Sequence, residues 1–347
     1  MLFSKKYSLK VLVIFSVFVI CVTCITYASA AEAPSITINL AQYNPTGEFP
    51  AYRAAEYFKK RVDELSKGRI AIKHFPGDLL GDWQTQDVSI KEGSLDMALV
   101  VPSSLFDPEL EFIQLPYLVF SWEGFKKIFG HNGTAEAILN EIFERNNCHL
   151  LGTLPAGFIG IISKKEFTPL PGDPSVARVK TRVMPLKLDE ITGKTLGFQT
   201  LTLPFGEIHS GLMLGLIDAA MGPTTAESTI FKDVIKYIYN YHYNVSAVQF
   251  VVNHRVWNKL TKEDQEILQL AMDEAIEIEW GKALETEQLA LKELEEAGVK
   301  IVNLTPEQMN ANVKACRDIV YKWAADSLYS KEFMDKVLAI GEPVVEY

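Results

Sequence analysis

The sequence predicts an α/β fold of two interwoven domains, with one long helix that spans both of them. Three observations support this prediction. Strand-like and helix-like segments alternate along much of the chain, which is the order of an α/β layer built on parallel strands. Without an N-terminal leader, about 317 of the 347 residues remain, too many for one ordinary core, and no low-complexity linker separates two halves. Near the carboxyl end, a helical pattern runs without interruption over 261–298.

The first α/β region begins at 35–42, where apolar and polar residues alternate as they do in a strand. A helix follows, because apolar residues recur at helical spacing from Ala51 until Gly68 ends the pattern. Three further elements complete the region: a strand at 69–75, a helix that opens near Asp82 and a strand at 95–101. Ligands bind beyond the carboxyl ends of such strands. The positions just after the first and third strands, Asn44 and Pro102, are therefore candidates for a binding site.

The second α/β region covers about 158–243. Its predicted elements are strands at 157–163 and 179–183, a helix at 184–192, a strand at 198–203, a helix at 207–215 and a strand at 217–221. The aromatic stretch 236–243 is expected to pack between the domains, with a pocket wall as the alternative. A strand at 245–253 leads to the long helix, which Thr261 and Asp264 can cap. At 1.5 Å per residue, this helix is about 50 Å long.

The first thirty residues predict export. Lys5, Lys6 and Lys10 precede or begin a long apolar run, and small residues before Ala31 match a cleavage site near Ala30. The alternative, a membrane anchor, is disfavoured because the run is barely long enough to span and ends in that site. Cleavage changes the formal charge from −10 to −13, which opposes binding to nucleic acid or anionic membranes. We therefore expect a periplasmic protein without a nucleic-acid partner.

Motifs for catalysis and for cofactors are absent from the sequence. It contains no nucleophile elbow, zinc helix, P-loop or dinucleotide-binding glycine pattern, so we expect no enzyme, no cofactor and no metal. An exported enzyme acting on a small acid remains the alternative, with Glu207, His209 and Asp218 as its acid–base set. The two cysteines that remain after cleavage, Cys148 and Cys316, leave a disulfide possible.

Arg182 is the side chain with the clearest potential for ligand binding. The strand at 179–183 alternates so that Arg182 shares a face with Lys180. From this pattern alone, a solvent-facing pair of cations is the favoured interpretation. The alternative is an anion site, because a guanidinium presents a planar set of donors that fits a carboxylate.

Several blocks of the sequence resemble the solute-binding proteins of tripartite ATP-independent periplasmic (TRAP) transporters, the DctP-like family. The blocks occur in the family's order and cover nearly all of the chain after the leader: AAEYFKKRVDELSKGRIAIKHFPGDLLGD (54–82), KEGSLDMALV (91–100), LPYLVFSWE (115–123), VKTRV (179–183), Gly197 and LPFGEIHSGLMLGLIDAAMGP (203–223). Each block is weak alone, but their common order is specific.

The resemblance implies a two-domain type II periplasmic-binding-protein-like fold. Domain I would comprise 31–157 plus 248–287, and domain II 158–247 plus 288–347 with the C-terminal helices. The expected partners are a small organic acid, held between the domains, and the integral-membrane transporter subunits. The chain itself is expected to be a monomer. Delivery of the ligand to a sensor instead of a transporter remains an alternative.

The resemblance also assigns the ligand contacts. Arg182 would form a salt bridge with the carboxylate of the ligand, Phe205 would stack against the ligand, and Asn44 would contribute from the other domain. Leu186 would add to the wall near Phe205.

Four positions depart from the pattern of the members that bind sialic acid. Polar side chains of those members correspond here to Ile159, Val101 and Gly222, and Met221 precedes the glycine. A buried hydroxyl of the ligand without a partner would cost about 1–3 kcal/mol. The expected ligand is therefore a monocarboxylate with an apolar or aromatic body, for which Gly222 would leave room.

Overall fold

The computed structural model describes residues 34–43 and 46–342, and the strands of this part form one sheet. The strands are β1 Ile36–Ala41, β2 Ile70–Phe75, β3 Met97–Val100, β4 Cys148–Ser163, β5 Lys180–Val183, β6 Gln199–Thr202, β7 Ala219–Thr224, β8 Tyr237–Asn253 and β9 Lys300–Asn303. The predicted leader lies outside the described residues. Among the residues described, no helix has the length and apolar character needed to cross a membrane.

Helices pack against this sheet. They are α1 Pro50–Ser66, α2 Trp83–Glu92, α3 Trp122–Phe129, α4 Glu136–Arg145, α5 Lys187–Thr195, α6 Ile208–Leu214, α7 His254–Trp257, α8 Lys262–Glu296, α9 Pro306–Cys316, α10 Lys322–Ser327 and α11 Lys331–Ile340. Short 3₁₀ segments occur at Pro108–Gln114, Val176–Arg178, Phe205–Glu207 and Glu227–Phe231. This architecture confirms the α/β class.

Two parallel groups of strands are joined by one long antiparallel pair. The strand order is β2-β1-β3-β8-β4-β7-β5-β6, and β9 pairs with β8. Strands β1, β2 and β3 are parallel to one another, and so are β5, β6 and β7. The first half of β4 and the second half of β8 lie beside the first group, while their other halves lie beside the second group. The chain thus crosses between the two groups along β4 and β8.

Strands β4 and β8 are longer than the sequence pattern predicts. The predicted strand 157–163 is only the second half of β4, and 245–253 is only the second half of β8. In the first half of β8, Tyr239, Tyr241 and Tyr243 alternate into the core and are almost completely buried. The aromatic stretch therefore packs, as expected, but does so as part of a strand.

The helix α5 begins at Lys187, three residues later than predicted. The physical reason is Pro185, because the residue before a proline is forced towards extended backbone. Met184 therefore stays outside the helix, and its backbone N–H is free to bind a side chain. The resulting turn lies directly after β5, at the carboxyl edge of its parallel group.

The long helix α8 packs against elements that neighbour both parallel groups in the chain. It has 35 residues, and Thr261 and Asp264 form the predicted capping box at its start. It packs against α1 and β4 on one side and against the 3₁₀ segment Glu227–Phe231 and β9 on the other. A helix of this length, about 50 Å, reaches from the elements beside the first group to those beside the second. The predicted spanning helix is thus present.

Candidate functional site

A cleft lies between the two parallel groups, at the carboxyl ends of their strands. Tyr43 follows β1, Pro102 follows β3, Met184 follows β5 and Phe205 follows β6, and all four side chains line the cleft. The cleft has a volume of about 70 Å³. Its position agrees with the rule that open α/β sheets bind ligands beyond the carboxyl ends of their strands.

Arg182 lies in this cleft and does not face solvent, so the favoured interpretation from the strand pattern is wrong. Its side chain is 2 % exposed, whereas Lys180, on the same face of β5, is exposed. Arg182 Nε donates to the carbonyl oxygen of Leu203 at 2.8 Å, and Nη1 donates to that of Met221 at 2.9 Å. Nη2 has no hydrogen-bond partner among the described residues. Two backbone carbonyls thus fix the guanidinium plane while one donor edge stays available.

A buried carboxylate balances part of this charge. Asp189 Oδ2 accepts a hydrogen bond from the backbone N–H of Met184 at 2.7 Å, the N–H that Pro185 keeps out of α5. Burial raises the pKa of Asp189, while this N–H and the Arg182 charge oppose the rise. Burial lowers the pKa of Arg182, and Asp189 opposes that shift. Asp189 therefore holds the turn after β5 in place and stabilises the cation beside it.

Gly222 determines how Arg182 is placed. Its φ is +106°, a backbone conformation that side chains with a Cβ rarely adopt. A Cβ built at this position would lie 2.6 Å from Arg182 Nη1 and 3.3 Å from Met184 Cγ. The space that a side chain would fill is therefore occupied by the guanidinium. The expectation that Gly222 leaves room for the ligand is wrong in this respect, although Gly222 does line the cleft.

The other residues that the sequence singled out divide into three groups. Phe205, Ile159 and Val101 line the cleft with Arg182. Leu186 and Met221 are buried next to it: Leu186 packs in a small apolar cluster, and Met221 contributes its carbonyl oxygen to Arg182. Asn44 lies outside the described residues.

Sequence reasoning missed several polar residues of the cleft. Gln114 lines it, and its Oε1 accepts a hydrogen bond from Asn244 Nδ2 at 2.7 Å. Glu227 lines it too, and its Oε2 accepts from the backbone N–H of Thr224 at 2.9 Å. Ser246 and Trp83, the first residue of α2, also line it. These side chains meet only through the fold, and the one local signal is Asp82 as the cap of α2.

The residues proposed for an enzyme do not form a site. His209 Nε2 bonds Asp233 at 2.9 Å on the surface. Asp218 pairs instead with Lys165 Nζ at 2.9 Å. Glu207 is exposed and makes neither contact. His209 and Asp218 thus have separate structural partners, and the three side chains do not contact one another in the part of the chain that the structure describes.

A larger depression of about 240 Å³ lies elsewhere, between α4, α8 and β4. Its rim carries Glu136, Asp273 and Glu277, with His131 3.8 Å from Asp273. An acidic rim repels organic anions. The smaller cleft around Arg182 is therefore the better candidate for an anion site.

Comparison with known proteins agrees with this geometry. The family model described as bacterial extracellular solute-binding protein, family 7, matches residues 41–326. The sialic acid-binding periplasmic protein SiaP of Vibrio cholerae is 23 % identical over 92 % of this chain and 94 % of its own. A TRAP periplasmic solute-binding protein from Sulfurospirillum deleyianum with bound succinate is 25 % identical, with a TM-score of 0.78 over 88 % of this chain and 99 % of its own.

A second solved structure, from Ralstonia eutropha with bound (S)-2-acetolactate, has the same fold. It is 23 % identical with a TM-score of 0.78 and covers 88 % of this chain and 98 % of its own. The family match spans most of the chain, and the sheet has two parallel groups with a cleft at the carboxyl ends of their strands. Together these findings decide the assignment. The chain belongs to family 7 of the bacterial extracellular solute-binding proteins, the periplasmic components of TRAP transporters, which bind small organic acids for transport and are not enzymes.

Proposed function

We propose that the protein captures a monocarboxylate with an apolar body in the cleft and delivers it to the membrane subunits of a TRAP transporter. The observation that carries this proposal is the setting of Arg182. It is the single cationic side chain among the described residues that line the cleft, and two backbone carbonyls orient it. A carboxylate can accept hydrogen bonds from such a guanidinium in a directed, charge-assisted geometry.

The walls of the cleft favour an apolar ligand body. Most lining side chains are apolar or aromatic, among them Val101, Ile159, Met184, Phe205 and Val248. A second carboxylate would find no second cation among the described lining residues and would lose several kcal/mol of hydration. These features favour a monocarboxylate over a dicarboxylate or a polyhydroxylated acid.

The size of the cleft favours a compact ligand. The cleft has a volume of about 70 Å³, and a cavity needs roughly 10–15 Å³ to hold one water molecule. The cleft therefore has room for about five to seven separate water-sized groups. A ligand can have somewhat more non-hydrogen atoms than that, because bonded atoms lie closer together than separate water molecules. Branched aliphatic acids fit this estimate better than aromatic ones. The relative with bound (S)-2-acetolactate is consistent with a compact branched acid in this fold.

The two strand groups suggest how the ligand is enclosed. We assign domain I to 31–157 plus 248–287 and domain II to 158–247 plus 288–347, with β4 and β8 as the crossing segments. Both long strands have irregular pairing near the cleft, between Pro155 and Gly157 and between Ile159 and Ile161. Rotation of one domain about these segments would open and close the cleft. Export with cleavage near Ala30 would place the protein in the periplasm. We propose that it acts there as a monomer.

A thermal-shift panel tests the proposed ligand class. The protein is purified from the periplasm, unfolded and refolded to remove bound ligand, and melted with branched, aromatic and 2-hydroxy monocarboxylates, C4-dicarboxylates and sugar acids. A ligand at a hundred times its dissociation constant adds about 2.7 kcal/mol of stability. We expect compact monocarboxylates to give the largest shifts. Tighter binding of succinate, malate or a sugar acid than of every monocarboxylate would contradict the proposal.

A further inference from the structure

The cleft contains an anion as well as a cation. Among the described residues that line it, Glu227 is the single acidic one and Arg182 the single basic one. Their charges are coupled, because Glu227 acts to raise the pKa of Arg182. Both residues belong to the second parallel group: Arg182 lies on β5, and Glu227 begins the 3₁₀ segment that follows β7. A ligand that places a carboxylate on Arg182 must therefore accommodate a second, negative group nearby.

The position of the Glu227 carboxylate is fixed by a reciprocal cap. Its Oε2 accepts from the backbone N–H of Thr224 at 2.9 Å and from Thr224 Oγ1 at 3.1 Å. In return, the backbone N–H of Glu227 donates to Thr224 Oγ1 at 3.2 Å. Hydrogen bonds of this kind favour the ionised form of a carboxylate. The negative charge thus belongs to the rigid start of the 3₁₀ segment Glu227–Phe231 and is part of the cleft wall.

We propose that Glu227 is a specificity-determining residue that excludes acids with a second carboxylate from the cleft. This inference rests on the proposed function, because it assumes that the ligand's first carboxylate binds Arg182. A second carboxylate within the same small volume would be repelled by the Glu227 charge, and the lining residues that the structure describes offer that carboxylate no second cation. A hydroxyl or ammonium group at the same place could instead donate a hydrogen bond to Glu227.

The test is the variant Glu227→Gln, which removes the charge but keeps the cap. Glutamine and glutamate both serve as the third residue of a capping box, so the local fold should persist. The probes are butanoate and succinate, which have the same carbon chain and differ in a terminal methyl or carboxylate. Dissociation constants are measured for wild type and variant by calorimetry on refolded protein from the periplasm. We expect the ratio of the succinate constant to the butanoate constant to fall at least tenfold in the variant.

Two further variants control the experiment. Glu296→Gln removes one charge from the exposed end of α8, far along the chain from the cleft, and should leave the ratio unchanged. Glu227→Asp retains the charge and should retain the wild-type preference. An unchanged ratio in Glu227→Gln would overturn the role of Glu227.

The wild-type ratio separates this inference from the proposed function. A wild type that prefers succinate would contradict the proposed ligand class. The change in ratio between wild type and Glu227→Gln would still decide whether Glu227 opposes the second carboxylate. If the wild type bound neither acid, both proposals would fail.

Discussion

Replacing Gly222 with alanine tests whether this position places Arg182. The new Cβ would lie 2.6 Å from Arg182 Nη1, a distance that real Cβ contacts essentially never show, so the guanidinium or the backbone of β7 must shift. The same substitution puts a side chain on backbone with φ of +106°. Both effects act on the wall of the cleft, and neither removes a group that could touch the ligand. Loss of binding would therefore report on the position of Arg182.

The magnitude has two parts. Strained backbone of this kind costs on the order of 1–3 kcal/mol. Displacement of Nη1 from the carbonyl oxygen of Met221, now 2.9 Å away, breaks a charged hydrogen bond worth about 1.5–3 kcal/mol. Together they predict a loss of about 2.5–6 kcal/mol in the free energy of unfolding. We also expect carboxylate affinity to fall at least tenfold, because the guanidinium no longer points in one direction.

The assay is urea unfolding followed by calorimetry, with Gly172→Ala as the matched control. Gly172 also has a positive φ, +83°, but a Cβ there meets nothing within 4 Å. The control should therefore lose only the strain contribution, about 1–3 kcal/mol, and should bind ligand like wild type. An unchanged m value would show that the comparison concerns stability alone. Equal destabilisation of both variants, with wild-type binding in Gly222→Ala, would refute the reasoning.

Three other predictions follow from buried groups. Burial lowers the pKa of His242, so the unfolded chain takes up a proton that the folded chain does not bind, and the stability should fall as the pH drops below about 6.5. The variant His242→Asn should flatten this dependence in urea melts at several pH values. Asparagine is chosen because it tolerates the φ of +42° at this position. Cys148 and Cys316 are free and buried, and burial raises the pKa of Cys148 to about 12. A thiol reagent should therefore react with them only after denaturation, and a reductant should leave Tm unchanged. A Tm lowered by the reductant would contradict this. Arg53 Nε donates to the buried carboxylate of Glu279 at 3.1 Å. Arg53→Met leaves that buried charge unpaired and should lower the free energy of unfolding by about 3 kcal/mol in urea unfolding. The double variant Arg53→Met with Glu279→Gln removes the unpaired charge and should recover part of that loss.

Local patterns predicted the elements well because their causes are local. The alternation of β1, the capping box of Thr261 and the glycine after α1 each depend on a few neighbouring residues, and all are present in the structure. The direction in which the Arg182 side chain points has a cause that is not local in sequence. Alternation assigns it to a face of β5, but burial of that face depends on Leu203 and Met221, which are distant in sequence. The resemblance to a family predicts an anion site at Arg182, which the strand pattern did not favour.

The composition of the cleft could be predicted only in part. The resemblance to the family predicts Val101, Ile159 and Phe205 as contacts, and all three line the cleft. Gln114 and Glu227 were missed, because no spacing in the sequence connects them to Arg182 and each also serves a structural contact. Polar groups brought together by non-local pairing leave no periodic signal. The charge balance of the cleft is therefore a property of the fold that the sequence pattern does not contain.

The affinity of Arg182→Lys for a carboxylate tests the central claim most directly. Lysine keeps the charge, but it cannot donate to two carbonyls and to a ligand in the planar geometry of the guanidinium. It is also a milder change than alanine, which would leave a cavity and two buried carbonyls without partners. The measurement is calorimetry of wild type and variant with the tightest monocarboxylate of the panel, after both have been shown to melt cooperatively. We predict at least tenfold weaker binding in a folded variant, and wild-type affinity in that variant would contradict the assignment of Arg182 as the carboxylate-binding residue.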